Sequence, residues 1–180
     1  MLPDSQTLME MPGIFMHEEE RILIRDLSKE VAGIFNPCNI LHVGIGWGGS
    51  LYYSRAGAPD ANIYGVDIVP KEDLELKGTP EQLAELNLNF IIGDSRIVHK
   101  AFRKPIHFLY LDGDHLYDCL IQDIKNWASK VVIGGYVSSH DCLSCHWAPG
   151  VNKALYEGLS PKEWEDLGIA GWSRYFRRIA

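Results

Sequence analysis

The feature that most constrains this chain is a rhythm. Five short apolar runs alternate with segments of helical spacing, and each run closes on glycine, carboxylate, serine or histidine. The runs are "NILHVG" from Asn39, "NIYGVDIV" from Asn62, "LNFIIGD" from Leu88, "IHFLYLDGD" from Ile106 and "KVVIGGYVSSHD" from Lys130. Short continuous apolar runs bounded by turn residues read as strands buried on both faces. Strands that alternate with helices predict a doubly wound, mostly parallel sheet covered on both sides, a Rossmann-like α/β architecture. A chain of 180 residues holds one such domain and is short for two.

Residues 1–16 stand outside the rhythm and read as a loose N-terminal arm, leaving a single domain over 17–180. From His17 the pattern turns helical, with Ile22, Leu23, Leu27, Val31, Ile34 and Phe35 at helix spacing. Asn36-Pro37 ends that segment, because a residue before proline avoids the helical region. Further helices are expected in "SLYYSRAGA", "SRIVHKAFRK", "YDCLIQDIKNWAS" and "GVNKALYEGL". Another is expected in "TPEQLAELN", where Thr79 would cap and Pro80 would take the first helical position. The tail "GWSRYFRRI" alternates and suits a last strand.

Charge narrows the partners. The formal net charge is −7 with no long basic run, which argues against a nucleic-acid backbone as partner. Arg174, Arg177 and Arg178 read as a solvated strand face. No apolar run approaches a membrane span. The segment "MLPDSQTLMEMPG" lacks the apolar core of a secretory signal, so a cytoplasmic protein with reduced cysteines is expected.

In a doubly wound sheet, ligands bind beyond the carboxyl ends of the strands. The first strand ends in "GIGWGGS", with Gly44, Gly46, Gly48 and Gly49 leading into a helix. Glycines let the backbone turn tightly against a ligand, and the helix start offers free N–H groups. A structural turn is the plainer alternative. Gly44, Gly46 and Gly49 also satisfy G-x-G-x-x-G, which leaves a dinucleotide such as NAD open. Asp67 ends the second run, where a carboxylate accepts from ribose hydroxyls, although a surface carboxylate is common at strand ends. Asp94 and Ser95 could receive an adenine, with Asp94 accepting from the exocyclic amine, or could simply cap a helix.

Taken together, "ILHVGIGWGGS", "YGVDIV", "FIIGDS", "FLYLDGDHLYDCLIQDI" and "VVIGGYVSSHDC" resemble the class I S-adenosylmethionine-dependent methyltransferases. Within that class the chain is most similar to the branch of macrocin-type small-molecule O-methyltransferases. The resemblance runs from about Glu18 to the C-terminus. It is most specific in "LDGDH", with Tyr117 and Asp123 downstream, and in "GGYVSSHD". It implies that Gly44, Gly46 and Gly48 lie under the methionine portion, that Asp67 binds the ribose, that Asp94 and Ser95 frame the adenine, and that Asp112 closes the site. The pattern departs at His42, where the family usually has a carboxylate, and at the bulky Trp47 within the loop.

Related O-methyltransferases hold Mg²⁺ on an aspartate after the fourth strand and an acidic pair after the fifth. Asp112 and Asp141 match, and His140 replaces the first of the pair. These three would hold Mg²⁺ or Mn²⁺, with the imidazole shifting preference toward Mn²⁺, Fe²⁺ or Zn²⁺. The alternative is that the carboxylates only order loops and cosubstrate. Asp114 and His115 are candidate general bases beside Asp112 and His140, and His115 could instead cap the next helix. The implied activity is methyl transfer to a hydroxyl of a small-molecule acceptor, with a homo-oligomer or the N-terminal arm completing the pocket. Two rivals remain: a non-catalytic module that binds S-adenosylmethionine or a nucleotide, and an NAD-dependent oxidoreductase.

Cys142, Cys145 and His146 spell C-x-x-C-H, the haem-attachment pattern. Their position after the fifth strand argues instead that they line the substrate pocket, with a second, softer metal site as the alternative.

Overall fold

The computed structural model describes residues 5–10, 16–70, 73–74, 76, 86–143, 148 and 150–180. The expected strands form as β1 (Asn39–Val43), β2 (Asn62–Asp67), β3 (Asn89–Ile92), β4 (Ile106–Leu111) and β5 (Val131–Ser139), followed by β6 (Trp164–Ala170) and β7 (Ser173–Arg178). They build one seven-stranded sheet in the order β3-β2-β1-β4-β5-β7-β6. The first five are parallel, and β7 runs antiparallel to both β5 and β6. The helices are α1 (Ser5–Glu10), α2 (Glu18–Ile34), α3 (Gly49–Gly57), α4 (Ser95–Val98), α5 (Tyr117–Trp127) and α6 (Val151–Gly158).

Strand periodicity divides the core between the two faces of the sheet. Ile40, Phe108 and Tyr110 pack under Ile24, Leu27 and Val31 of α2 and Leu51 of α3. Leu41, Val43, Leu109 and Leu111 pack under Ile124 and Trp127 of α5 and Leu155 of α6. Each such side chain contributes about 1.5–3 kcal/mol on full burial.

The parity also settles His42. It shares the α2/α3 face with Ile40 and is wholly buried, its Nε2 2.9 Å from Ser54 Oγ, which in turn accepts from Ser28 Oγ. Burial pushes its pKa down to about 3. The position of the family's carboxylate is here a neutral core link between a strand and two helices.

Two expectations are corrected. The N-terminal arm is not wholly loose, because Ser5–Glu10 is helical and Met9 packs against the α2/α3 core. The tail forms the expected last strand, β7, but the expected strands omit β6, which pairs with it as a hairpin. In "WEDLGIA" the register shifts between Asp166 and Gly168, and Gly168 takes φ +102°, so the bulge breaks the alternation that marks a strand. The helix expected in "TPEQLAELN" falls largely outside the described residues.

The parallel register brings the strand ends level. Val43 pairs with Leu111, and Leu111 with Ser139. The ladder continues one residue further, Asp112 N donating to Val43 O and His140 N to Leu111 O. Gly44, Asp112 and His140 therefore stand side by side at the carboxyl ends of three adjacent strands.

Candidate active site

Beyond the ends of β1, β2 and β3 lies a cavity of about 410 Å³. Gly44 and Gly46 form its floor, Asp67 and Ile68 one wall, and Asp94 and Ser95 another, with Asp112 and Asp114 closing the far side. Gly44 has φ +86°, and a Cβ there would stand 2.1 Å from the Asp112 carbonyl oxygen. Only glycine lets β1 and the end of β4 approach this closely. Gly46, at φ +49°, faces open space. Gly48 does not line the cavity. It caps α3 in a left-handed conformation, where a Cβ would meet the Tyr52 hydroxyl at 2.7 Å.

Asp67 is held from both sides. Its Oδ2 accepts from Ile45 N at 2.8 Å and its Oδ1 from Val69 N at 2.9 Å, which ties the glycine loop to the end of β2 and leaves lone pairs facing the cavity. Asp94 caps α4 and grips Arg96: Oδ1 accepts from Arg96 N and Nε, and Oδ2 from Nη2 at 2.6 Å. These bonds pull its pKa down to about 2. Ser95 Oγ donates to Asp123 Oδ1 at 2.6 Å. Asp123, on α5, faces the same cavity, and burial raises its pKa to about 6.

A second arrangement begins at Asp112. Asp112, His115, His140 and Asp141 each direct a donor atom to one region, all within 4.8 Å of one another. His115 Nε2 lies 3.0 Å from Asp141 Oδ2 and 3.5 Å from Asp112 Oδ1. His140 Nδ1 repeats those distances to the same two oxygens. The carboxylates of Asp112 and Asp141 beside its Nε2 raise His115 to about 9 against the opposing effect of burial. Burial also opposes ionisation of His140, but Asp141 and Glu20 overcome it and raise the group to about 10. Asp141 is held well below the usual carboxylate range by the two imidazoles.

The donor set fits a divalent cation. Bonds of about 2.0–2.1 Å place neighbouring donor atoms roughly 3.0–3.4 Å apart, close to the separations found here. His115 Nε2 is buried without a well-aligned hydrogen bond, although two carboxylate oxygens lie nearby. The imidazole nitrogen of His140 beside the oxygens of Asp112 and Asp141 makes the set softer than an all-oxygen Mg²⁺ set.

Of the candidate bases, His115 joins this cluster. It does not cap the next helix, a place that Leu116 takes. Asp114 turns away to accept from Leu116 N, a bond that lowers its pKa and weakens it as a base. Cys142 is not among the residues that line the cavity. It is 4% exposed within the α5/α6 core, and burial pushes its thiol up to about 11. Cys145 and His146 lie outside the described residues.

Two carboxylates carry more of the site than sequence reasoning assigned. Asp123 sat inside a quoted motif without a role. Glu20, one of three consecutive glutamates, had only a weak signal, its helical spacing to Leu23, Ile24 and Leu27 on the buried face of α2; it is wholly buried with Oε1 3.1 Å from His140 Nε2.

A glycine loop between β1 and α3, a carboxylate ending β2 and a cavity where the strand order reverses define a Rossmann-like domain, an architecture whose ligand sites lie beyond the carboxyl ends of the strands. The chain belongs to the methyltransferase-domain family, whose model, described as "Methyltransferase domain", matches residues 41–142, from β1 to just past β5. Uncharacterized protein R132 of Acanthamoeba polyphaga mimivirus is 27% identical over 145 residues, covering 72% of this chain and 63% of its own. The fold is also similar to the MycE methyltransferase from the mycinamycin biosynthetic pathway, solved in complex with Mg and SAH. The TM-score is 0.71 at 18% identity, over 99% of this chain and 55% of that one. The O-methyltransferase NovP matches with TM-score 0.71 and 20% identity, over 93% of this chain and 82% of its own. This chain thus spans less than two thirds of the length of the mimiviral protein and of MycE. No helix among the described residues is long and apolar enough to cross a membrane.

Proposed function

We propose that this protein transfers the methyl group of S-adenosylmethionine to a hydroxyl of a small molecule, with a divalent cation held by Asp112, His140 and Asp141. One observation carries the reading: Asp112 belongs both to the cavity beside the glycine loop and to the His/Asp cluster. A donor in the cavity and an acceptor at the cluster would therefore meet at a shared wall. Family membership and the likeness to MycE, whose structure holds Mg and SAH, support the same choice of ligands.

Bound S-adenosylmethionine supplies a methyl group on a sulfonium, and the cation supplies charge that favours an ionised hydroxyl. The chain's own residues orient and deprotonate. Gly44 and Gly46 leave room for the methionine portion, Asp67 accepts from the ribose hydroxyls, and Asp94 with Ser95 borders the adenine. Asp112, His140 and Asp141 would hold the cation beside the cavity, where it would supply charge to an acceptor hydroxyl, and positioning would do most of the work. With a cation on Asp112 and Asp141, those carboxylates would no longer hold a proton on His115, and the neutral imidazole would serve as the base; its side chain is the more exposed of the two, 34% against 6% for His140. A cytoplasmic setting accords with the free thiols of Cys38, Cys119 and Cys142.

Calorimetric titration with S-adenosylhomocysteine and with NAD tests the cosubstrate. Micromolar-range binding of S-adenosylhomocysteine is expected, weakened by about 1–3 kcal/mol in Asp67→Ala, the scale for leaving buried hydrogen-bonding groups unpaired. Binding of NAD alone would return the oxidoreductase reading, and an unchanged affinity in the variant would remove the ribose role from Asp67.

A further inference from the structure

Glu20 lies in the first turn of α2, wholly buried, and its carboxylate meets groups from three parts of the fold. Oε2 accepts from His17 N at 2.7 Å, the return half of a helix-capping pair. Oε1 accepts from Ser173 Oγ at 2.8 Å, at the start of β7. The same Oε1 stands 3.1 Å from His140 Nε2, an ion-pair contact not aligned as a linear hydrogen bond. Capping α2 needs only one oxygen and no burial. A buried carboxylate is costly unless paired, so the remaining contacts give it a second task.

That task is visible on the other side of the imidazole. His140 Nδ1 faces Asp141 Oδ2 at 3.0 Å and Asp112 Oδ1 at 3.5 Å, with the ring spanning the gap between Glu20 and the cluster. An imidazole that offers one nitrogen to a cation carries its proton on the other, and the group facing that second nitrogen decides which. An ionised carboxylate can only accept. With a cation at the cluster, Glu20 would therefore keep the proton on Nε2 and leave the Nδ1 lone pair to the cation between Asp112 and Asp141.

We propose that Glu20 is a positioning residue that fixes His140 as an Nδ1 ligand, so that the centre selects Mn²⁺, Fe²⁺ or Zn²⁺ over Mg²⁺. The inference rests on the metal-assisted reading above and deepens it. Nitrogen in place of oxygen favours the later divalent ions, while Glu20 restores at one remove the negative charge that a directly bound carboxylate would have carried. The antiparallel hairpin is part of the device. Ser139 pairs with Arg174, which sets Ser173 opposite His140 and supplies the hydroxyl that keeps Glu20 in place.

The test uses the full chain, titrated separately with MnCl₂ and MgCl₂ by calorimetry and loaded with Co²⁺ for its ligand-field absorption. The parent is expected to bind Mn²⁺ at least about tenfold more tightly than Mg²⁺. Glu20→Gln keeps the size and the capping preference of the side chain. Its single amide oxygen cannot accept from both His17 N–H and His140 Nε2–H, which approach different oxygens of the carboxylate. Mn²⁺ affinity is expected to fall by about 10–100-fold, the scale for losing the partner of a ligating histidine, and the Co²⁺ spectrum to change. A folded variant with parental Mn²⁺ affinity and an unchanged Co²⁺ spectrum would overturn the role of Glu20 and leave the metal centre standing. A parent that binds no divalent cation would overturn the metal centre itself. A second measurement needs no variant: nitrogen-15 NMR of the Zn²⁺-loaded parent should report His140 protonated at Nε2, and protonation at Nδ1 overturns the proposal.

Discussion

Asp123→Asn should stabilise this protein at neutral pH and lose most of that advantage in acid. The carboxyl is 4% exposed on the inner side of α5, and its one described hydrogen bond comes from Ser95 Oγ at 2.6 Å. Burial raises its pKa from 3.8 to about 6, so the folded state holds the proton more firmly than the unfolded chain does. Its contribution to stability is therefore complete below about pH 4 and is lost as pH rises through about 6. Roughly two units at 1.36 kcal/mol each put the neutral-pH cost of the ionised form at about 2–3 kcal/mol. Asparagine retains an oxygen for Ser95 and carries no charge. For a chain of this length, the gain corresponds to about 5–10 °C in melting temperature at pH 7.5. Near pH 4.5 the same linkage leaves about a third of it. Fluorescence-monitored melts of parent and variant, metal-free at both pH values, make the comparison. A gain of equal size at the two pH values, or a loss at pH 7.5, would show that Asp123 is not a strained carboxylate.

Two further outcomes follow from the site. Excess chelator is expected to lower methyl transfer by about tenfold or more, with Mn²⁺ restoring it at least as well as Mg²⁺, because a cation at Asp112, His140 and Asp141 orients the acceptor; full turnover in chelator would leave His115 acting without metal. Gly44→Ala drives a methyl to 2.1 Å from the Asp112 carbonyl oxygen and should cost about 2–3 kcal/mol or more, whereas Gly46→Ala meets nothing within 4 Å and carries only the left-handed backbone cost of about 1–2 kcal/mol. Melts in one buffer rank the two, and equal losses would refute the close approach of β1 to β4.

The sequence by itself determined the elements whose cause is local. Apolar runs such as "NILHVG" and "IHFLYLDGD" placed β1 to within one residue and β4 to within three, since a strand buried on both faces needs only its own side chains to be recognised. The glycine loop was equally legible, because left-handed φ at Gly44, Gly46 and Gly48 is a property of the residue type. Parallel register then did part of the assembly unaided, bringing Gly44, Asp112 and His140 level wherever strands of this pattern pair in this order. What only the tertiary structure decided is which distant groups meet those strand ends. Glu20 and His140 are 120 positions apart; helical spacing puts Glu20 on the apolar face with Leu23, Ile24 and Leu27, but nothing local tells which group it meets there. Ser173 reaches the same carboxylate only because β7 enters antiparallel beside β5, behind a strand whose bulge at Gly168 hides its alternation. His42 shows the converse. It stands at a motif position, but strand parity turns it toward Ser54 and the helices, and burial keeps it neutral there. Local periodicity fixes which way a side chain points. Long-range pairing alone fixes what it finds there.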